Sequence, residues 1–216
     1  MTSKRAVIAQ AIRQEIMAGR WSPGQRLTER ALCDFTGASR SSVREALQLL
    51  QQEGYIETRP NQGVRVATLD AHEAADIYQI RSVLEGLAAR NFINMATAAQ
   101  RHILRESLED LEASIEREDV AGQLKAIEDF YEALLDGCYN AVLKNTLREL
   151  HGKISRLRAT SILSPGRIRN TLREMQKIGR AIEANDEAQA WQACVDHMQH
   201  TSAVAIRMID RLKGDV

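Results

Sequence analysis

Arg40, Ser41, Ser42 and Arg44 fall within a single helical turn of sequence. On a helix this spacing stacks two guanidinium forks one turn apart, beside two hydroxyls. That set suits an anionic partner. One fork can grip a phosphate while the other reads the O6/N7 edge of guanine. Hydroxyls and the free N–H groups of a first turn attract phosphate as well. His197 and His200 form a second pair one turn apart. The chain offers no Ser-His-Asp or Cys-His arrangement and no phosphate-cradling glycine loop. Cys33, Cys138 and Cys194 are scattered, odd in number and form no Cys-x-x-Cys. A disulfide framework and a structural zinc site are therefore not expected.

The arginines need a helix to carry them. From Ala38 to Gly54, Val43, Ala46, Leu47, Leu49 and Leu50 share one arc of the helical wheel. Arg40, Ser41, Arg44, Gln48, Gln51 and Gln52 share the other. Ser39 fits as N-cap and Gly54 as the stop. Taken alone, this is also the pattern of an ordinary amphipathic surface helix.

Its flanks weigh against that. Ala6 to Ala18 has helical spacing through Val7, Ile8, Ala11, Ile12, Glu15 and Ile16, and closes at Gly19. Pro23-Gly24 marks a turn. Thr28 can cap a short helix from Glu29 to Phe35, with Ala31, Leu32 and Phe35 turned inward. Thr36-Gly37-Ala38 then leads into the arginine-bearing helix. Two helices joined by a short glycine-containing turn make a helix-turn-helix, whose second helix enters the major groove. After Gly54, Tyr55–Arg59 and Val64–Ala67 alternate as strands about a Pro60-Asn61-Gln62-Gly63 loop. Helix-turn-helix followed by hairpin is a winged helix. Arg59 and Arg65 on the wing are then expected to reach DNA backbone or minor groove. A hairpin that merely caps the core is the competing reading.

The 216 residues carry 29 Lys/Arg and 29 Asp/Glu. Residues 1–68 hold ten basic and six acidic side chains, a net of +4, which leaves −4 for the remainder. A basic module on an acidic body is an asymmetry that points to nucleic acid. No stretch approaches the roughly 18 apolar residues of a membrane span, and no signal-like h-region opens the chain, so a soluble cytoplasmic protein is expected. Aromatics are only 4% and prolines three, in keeping with a mainly helical chain. Past Ala71 no strand signal survives. Helices are expected at roughly 71–95, 98–117, 120–137, 140–160, 166–184 and 186–212, an all-α bundle of about six. Breaks fall at Thr97, Asp119, Asn140, Ser164-Pro165-Gly166 and Asn185-Asp186. The boundaries expected are 1–68 for the winged helix and 69–216 for the bundle, joined by a linker at 68–71.

The N-terminal string resembles the GntR bacterial transcription regulators. It runs Ile12-x-x-x-Ile16-x-x-Gly19, Pro23-Gly24-x-x-Leu27-x-Glu29-Arg30-x-Leu32, Ser39-Arg40-x-x-Val43-Arg44-Glu45-Ala46-Leu47-x-x-Leu50, Glu53-Gly54 and Gly63-Val64-x-Val66. The resemblance implies DNA contacts from Arg30, Arg40, Ser41, Ser42 and Arg44, and from the wing near Gln62 and Gly63. A glycine at the hairpin tip lets the backbone approach the sugar-phosphate surface without a Cβ. Ser41-Ser42 stands where many members have Thr-Pro.

The remainder resembles the FCD effector-binding domain of FadR-type members. Ile80-Arg81-x-x-Leu84-Glu85-x-x-Ala88-Ala89-Arg90, Phe130-Tyr131-x-x-Leu134, Asn140, Ile182-x-x-Asn185-Asp186, Ala190 and His197 carry the likeness. Typical members hold a divalent metal with one Asp and three His. Here the corresponding positions are Ile127, Tyr131, Met175 and His197. Isoleucine cannot ligate, and Tyr and Met are poor ligands for such a cation. No metal or other cofactor is expected, although His200 beside His197 leaves a two-ligand alternative. Arg81, Tyr131, Met175 and His197 would line the effector site, with Arg81 the anchor for a carboxylate. Two competing readings stay open. Arg81 pairs with Glu85 on a helix surface, or Tyr131 and Met175 fill the hole and leave a dimerisation domain without ligand.

The resemblance implies a ligand-responsive homodimer reading an inverted repeat in double-stranded DNA, with no membrane partner. An all-α enzyme with His197 as base, and a structural helical protein, are the alternatives.

Overall fold

A computed structural model describes residues 4–17, 19–59, 62–68, 70–162 and 166–214, with side chains described outside 152–162 and 211–214. Among the described residues the order is α1 (Lys4–Met17), α2 (Glu29–Thr36), α3 (Arg40–Gln52), β1 (Ile56–Arg59), β2 (Gly63–Val66), α4 (Ala71–Met95), α5 (Ala98–Glu116), α6 (Val120–Gly137), α7 (Ala141–Ile162), α8 (Arg167–Glu183) and α9 (Glu187–Gly214). The fold is mainly α, a winged helix-turn-helix and an all-α bundle of six helices. Ala18, Pro60-Asn61 of the hairpin loop, Leu69 of the linker and Ser164-Pro165 of the expected break lie outside the described residues. The backbone falls into two units, Met1–Asp70 with Arg148–Ala159, and Ala71–Leu147 with Thr160–Val216.

In the first unit, local chemistry sets each start and stop. Thr28 accepts from the Ala31 N–H and begins α2. Gly37 closes it at φ 65°, the left-handed conformation that ends a helix without Cβ strain. Ser39 accepts from the Ser42 N–H at 3.3 Å and starts α3. Ile8, Ile12, Ile16, Leu32, Val43, Ala46, Leu47, Leu50, Ile56 and Val66 close over one core. Arg13 ties α1 to the end of α3 through Glu53 and stacks over Tyr55.

Two expected inward residues are not inward. Phe35 is 46% exposed, and Ala31 also faces out. Val7, part of the helical spacing of α1, is 58% exposed. Ala9 takes the buried place on α1, and Phe35 packs edge-on against Trp21 at 5.3 Å instead of entering the core. On so short a helix as α2, Leu32 alone is buried.

The hairpin pairs Ile56 with Val66, Glu57 with Arg65, Thr58 with Val64 and Arg59 with Gly63, antiparallel. It also gains an edge the sequence does not announce. Leu27 N–H donates to Val64 C=O at 2.9 Å, and Val66 N–H to Gln25 C=O at 3.0 Å. The segment after the Pro-Gly turn is thereby stitched to β2, which anchors the wing to the helical core.

In the second unit α4 packs along α9, α5 along α6, and α8 along α9. Each turn is capped as its residue type allows. Thr97 and Gln100 form a reciprocal capping box, and Asp119 accepts from Gly122 N–H. Asn140 accepts from Leu143 N–H, and Asp186 from Gln189 N–H. Helix ends lie within two residues of those read from the sequence. No described helix is long and apolar enough to cross a membrane.

Candidate nucleic-acid interface and effector site

Helix α3 buries Val43, Ala46, Leu47 and Leu50. That leaves Arg40, Ser41, Arg44, Gln48, Gln51 and Gln52 on the exposed side, with Ser42 half-buried. The hydroxyls of Ser41 and Ser42 each lie 3.0 Å from that of Ser39, so all three gather at the N-terminus of α3. That end presents unpaired backbone N–H groups and the positive pole of the helix, which favours an anion. Arg30 is exposed on α2. Arg44 is not loose: its Nε donates to Glu29 Oε1 at 2.6 Å. This hydrogen bond holds the Glu29 carboxyl below its ordinary value and raises the Arg44 guanidinium.

The wing departs from the expectation for Arg65. Arg65 is half-buried and donates through Nη1 to the Gly24 carbonyl at 2.7 Å, so it braces the hairpin rather than facing outward. Arg59 pairs with Glu57 at 2.7 Å and donates to Thr68 Oγ1 at 3.1 Å. Gln62 is exposed and Gly63 sits at φ 76°, a left-handed value that favours glycine. A Cβ added to Gly63 would lie 3.6 Å from Arg26 Nε. Arg26, exposed beside the tip, is a basic residue that hydropathy and turn patterns do not single out, because its side chain reaches the tip only through the stitching of residues 25–27 to β2.

The inner face of the second unit brings all four expected effector residues into the interior. Arg81 is 1% exposed, Tyr131 4%, Met175 0% and His197 3%. Arg81 and Glu85 do pair, but the pair is buried, not on a helix surface. Nε and Nη2 of Arg81 lie 2.8 and 2.6 Å from Glu85 Oε1. Burial pulls the Arg81 guanidinium down, but Glu85, with Tyr131 and Tyr78, more than reverses that, and it stays charged. Its guanidinium stacks over the Tyr78 and Tyr131 rings at 5.4 and 5.7 Å. Burial first, and then the same carboxylate, raise the Cys194 thiol well above its ordinary value, which disfavours its reactive thiolate form.

Tyr131 Oη lies 3.0 Å from His197 Nε2, and His197 Nδ1 lies 2.6 Å from Glu174 Oε2. Glu174 in turn receives both arms of Arg167 at 2.9 and 3.0 Å. His200, 64% exposed, reaches Glu174 Oε1 at 3.2 Å from the rim. Burial pushes the Glu174 carboxyl up, but hydrogen bonds from His197 and Arg167 outweigh it and hold the group down at about 2. Glu174 and Arg167 were not legible as site residues. They are two turns apart on α8, and only the placement of α9 makes their shared face an interior one. Among the described residues no cluster of three or more His, Cys, Asp or Glu could hold a metal ion.

Residues 4–66 match the family described as bacterial regulatory proteins, gntR family, and residues 76–200 match the FCD domain. The chain belongs to the GntR family. Similar GntR-type relatives span nearly the whole chain. The HTH-type transcriptional regulator YdhC of Bacillus subtilis is 30% identical over 88% of this chain and 85% of its own. The HTH-type transcriptional repressor RspR of Escherichia coli K12 is 26% identical over 96% and 91%. Among solved structures, E. coli McbR/YncC superposes with a TM-score of 0.83 at 21% identity, covering 96% of this chain and 99% of that one. A GntR regulator of Rhodococcus sp. RHA1 follows at 0.77 and 23%, over 95% and 98%. These structural likenesses bear on the fold. The family and domains make this chain a GntR transcription regulator with an FCD effector-binding domain.

Proposed function

We propose that this GntR regulator acts as a homodimer on an inverted repeat, contacting DNA through Arg30, Arg40, Ser41, Ser42 and Arg44 and through the wing at Gln62 and Gly63. The observation that carries the reading is α3: one face locked into the core, a capped N-terminus, and two exposed arginines one turn apart on the other. A two-fold dimer imposes a palindromic site. An apolar edge on α4 supports dimerisation. Ile80 and Val83 are each about half exposed, at 51% and 52%, beside half-buried Leu84 and Leu87. A second copy would cover this edge.

The FCD domain senses a small organic acid in this proposal. Arg81 and Arg167 each already hold a protein carboxylate, so the inner face is built to pair carboxylates with guanidinium. An acid reaching either arginine would take over that pairing. To act on DNA it must bind the two dimer arrangements unequally. A ligand-free dimerisation domain is the second reading, favoured by the complete burial of Ile127, Tyr131, Met175 and His197. Thermal shift against organic acids decides between them. A shift by one acid that Arg81→Met removes supports sensing, and no shift across the panel supports the ligand-free bundle.

A further inference from the structure

Arg167 is the first residue of α8, follows a cap residue that makes no side-chain hydrogen bond, and is 6% exposed. A cation at a helix N-terminus opposes the helix dipole, and burying it removes its hydration. Its position is explained by what it grips. Glu174, two turns along the same face, takes both of its arms. The Nη2 group also donates to Thr201 Oγ1 at 2.9 Å, and that hydroxyl donates to the His197 carbonyl at 2.8 Å. Arg167 thus holds His197 twice, by side chain through Glu174 and by backbone through Thr201, in a closed ring between α8 and α9.

The ring fixes the chemistry of the imidazole. A carboxylate forked by a guanidinium accepts only, so His197 Nδ1 carries a proton and donates it. In the neutral ring Nε2 then has a lone pair, which accepts from the Tyr131 hydroxyl. In metal sites a ligating imidazole donates its second N–H to a carboxylate in the same way. Here the tyrosine hydroxyl takes up the Nε2 lone pair that a metal ion would need. Ile127 brings no donor and Met175 only a thioether, so the four positions do not fit a divalent cation.

We infer that Arg167 and Glu174 are positioning residues that do the structural work a metal ion would do, joining α6, α8 and α9 through Tyr131 and His197 around a built-in guanidinium. The inference rests on reading the second unit as the sensing domain. Its test uses the full chain without any effector, so a bundle that binds no effector leaves the result unchanged.

The protein is purified without chelator, incubated with zinc or nickel chloride, desalted and assayed for metal. Histidine 15N spectra, with His197 assigned by His197→Gln, report the tautomer. Far less than one ion per chain is expected, with no Tm change on adding metal or chelator, and His197 protonated at Nδ1. Glu174→Gln should lower Tm by several degrees and alter the His197 resonances. Arg167→Lys, which keeps charge but loses the fork, should do so to a lesser extent and covers the case in which Glu174→Gln fails to fold. Stoichiometric metal with a displaced His197 Nε2 resonance would overturn the inference. So would unchanged Tm and unchanged resonances in both variants.

Discussion

Arg44 donates through Nε to Glu29 at 2.6 Å, across the turn between α2 and α3. The pair is exposed, so it adds little to stability. Its effect is on direction. With Nε held, the two terminal nitrogens of Arg44 remain to donate outward. Glu29→Gln should therefore lower discrimination between operator and random duplex by about five- to tenfold, while binding to random duplex at low salt holds or strengthens as a carboxylate leaves the phosphate surface. Fluorescence anisotropy on both duplexes measures the ratio. An unchanged ratio would show that Glu29 does not orient Arg44.

The N-terminus of α3 depends on one side chain. Ser39 caps it and gathers Ser41 and Ser42. Ser39→Ala should cost ~1 kcal/mol of unfolding free energy, read by urea titration, and should weaken DNA binding beyond that through loss of the ordered hydroxyls. Ser39→Asp should retain stability and lose binding by charge repulsion.

The fold was largely legible, and for a physical reason. Caps, glycine stops and long apolar periods are local signals. Ser39, Thr28, Thr97 and Asp119 each act within their own turn of helix. Side-chain destinations were less legible, since they depend on distant segments. Arg65 turns inward because Gly24 offers a carbonyl. Arg26 reaches the wing tip because residues 25–27 join β2. Arg81 and Glu85 were readable as a pair, yet nothing in their spacing says the pair is buried. Arg167 and Glu174 became part of the site only when α8 met α9.

Charge on the exposed edge of α4 tests the dimer. Val83→Glu should shift the protein from dimer to monomer in sedimentation velocity. The monomer's own fold should be retained because the residue is about half exposed on the single chain, with Tm lowered only by the loss of association. Operator affinity should drop by about 100-fold or more as the second half-site contact is lost. A Val83→Glu protein that remains dimeric would place the interface elsewhere.

Acid sensitivity should follow Glu174. Its carboxyl titrates at about 2 in the folded chain against an ordinary 4.5. Between those values the unfolded chain binds the extra proton, so stability rises with pH and is lost as pH falls through that window. Tm should fall more steeply between about pH 5 and pH 3 in the wild type than in Glu174→Gln. Parallel curves would mean that Glu174 is not held down by His197 and Arg167.

The most direct measurement is duplex binding as a function of salt for the wild type, Arg40→Ala and Arg44→Ala. The wild type should bind a palindromic operator with affinity that falls steeply as salt rises. Each variant should lose about 10- to 100-fold in operator affinity, fold normally, and show a shallower salt slope if the lost contact was to phosphate. Wild-type operator affinity in both variants, or duplex binding independent of salt, would contradict α3 as the DNA-reading helix.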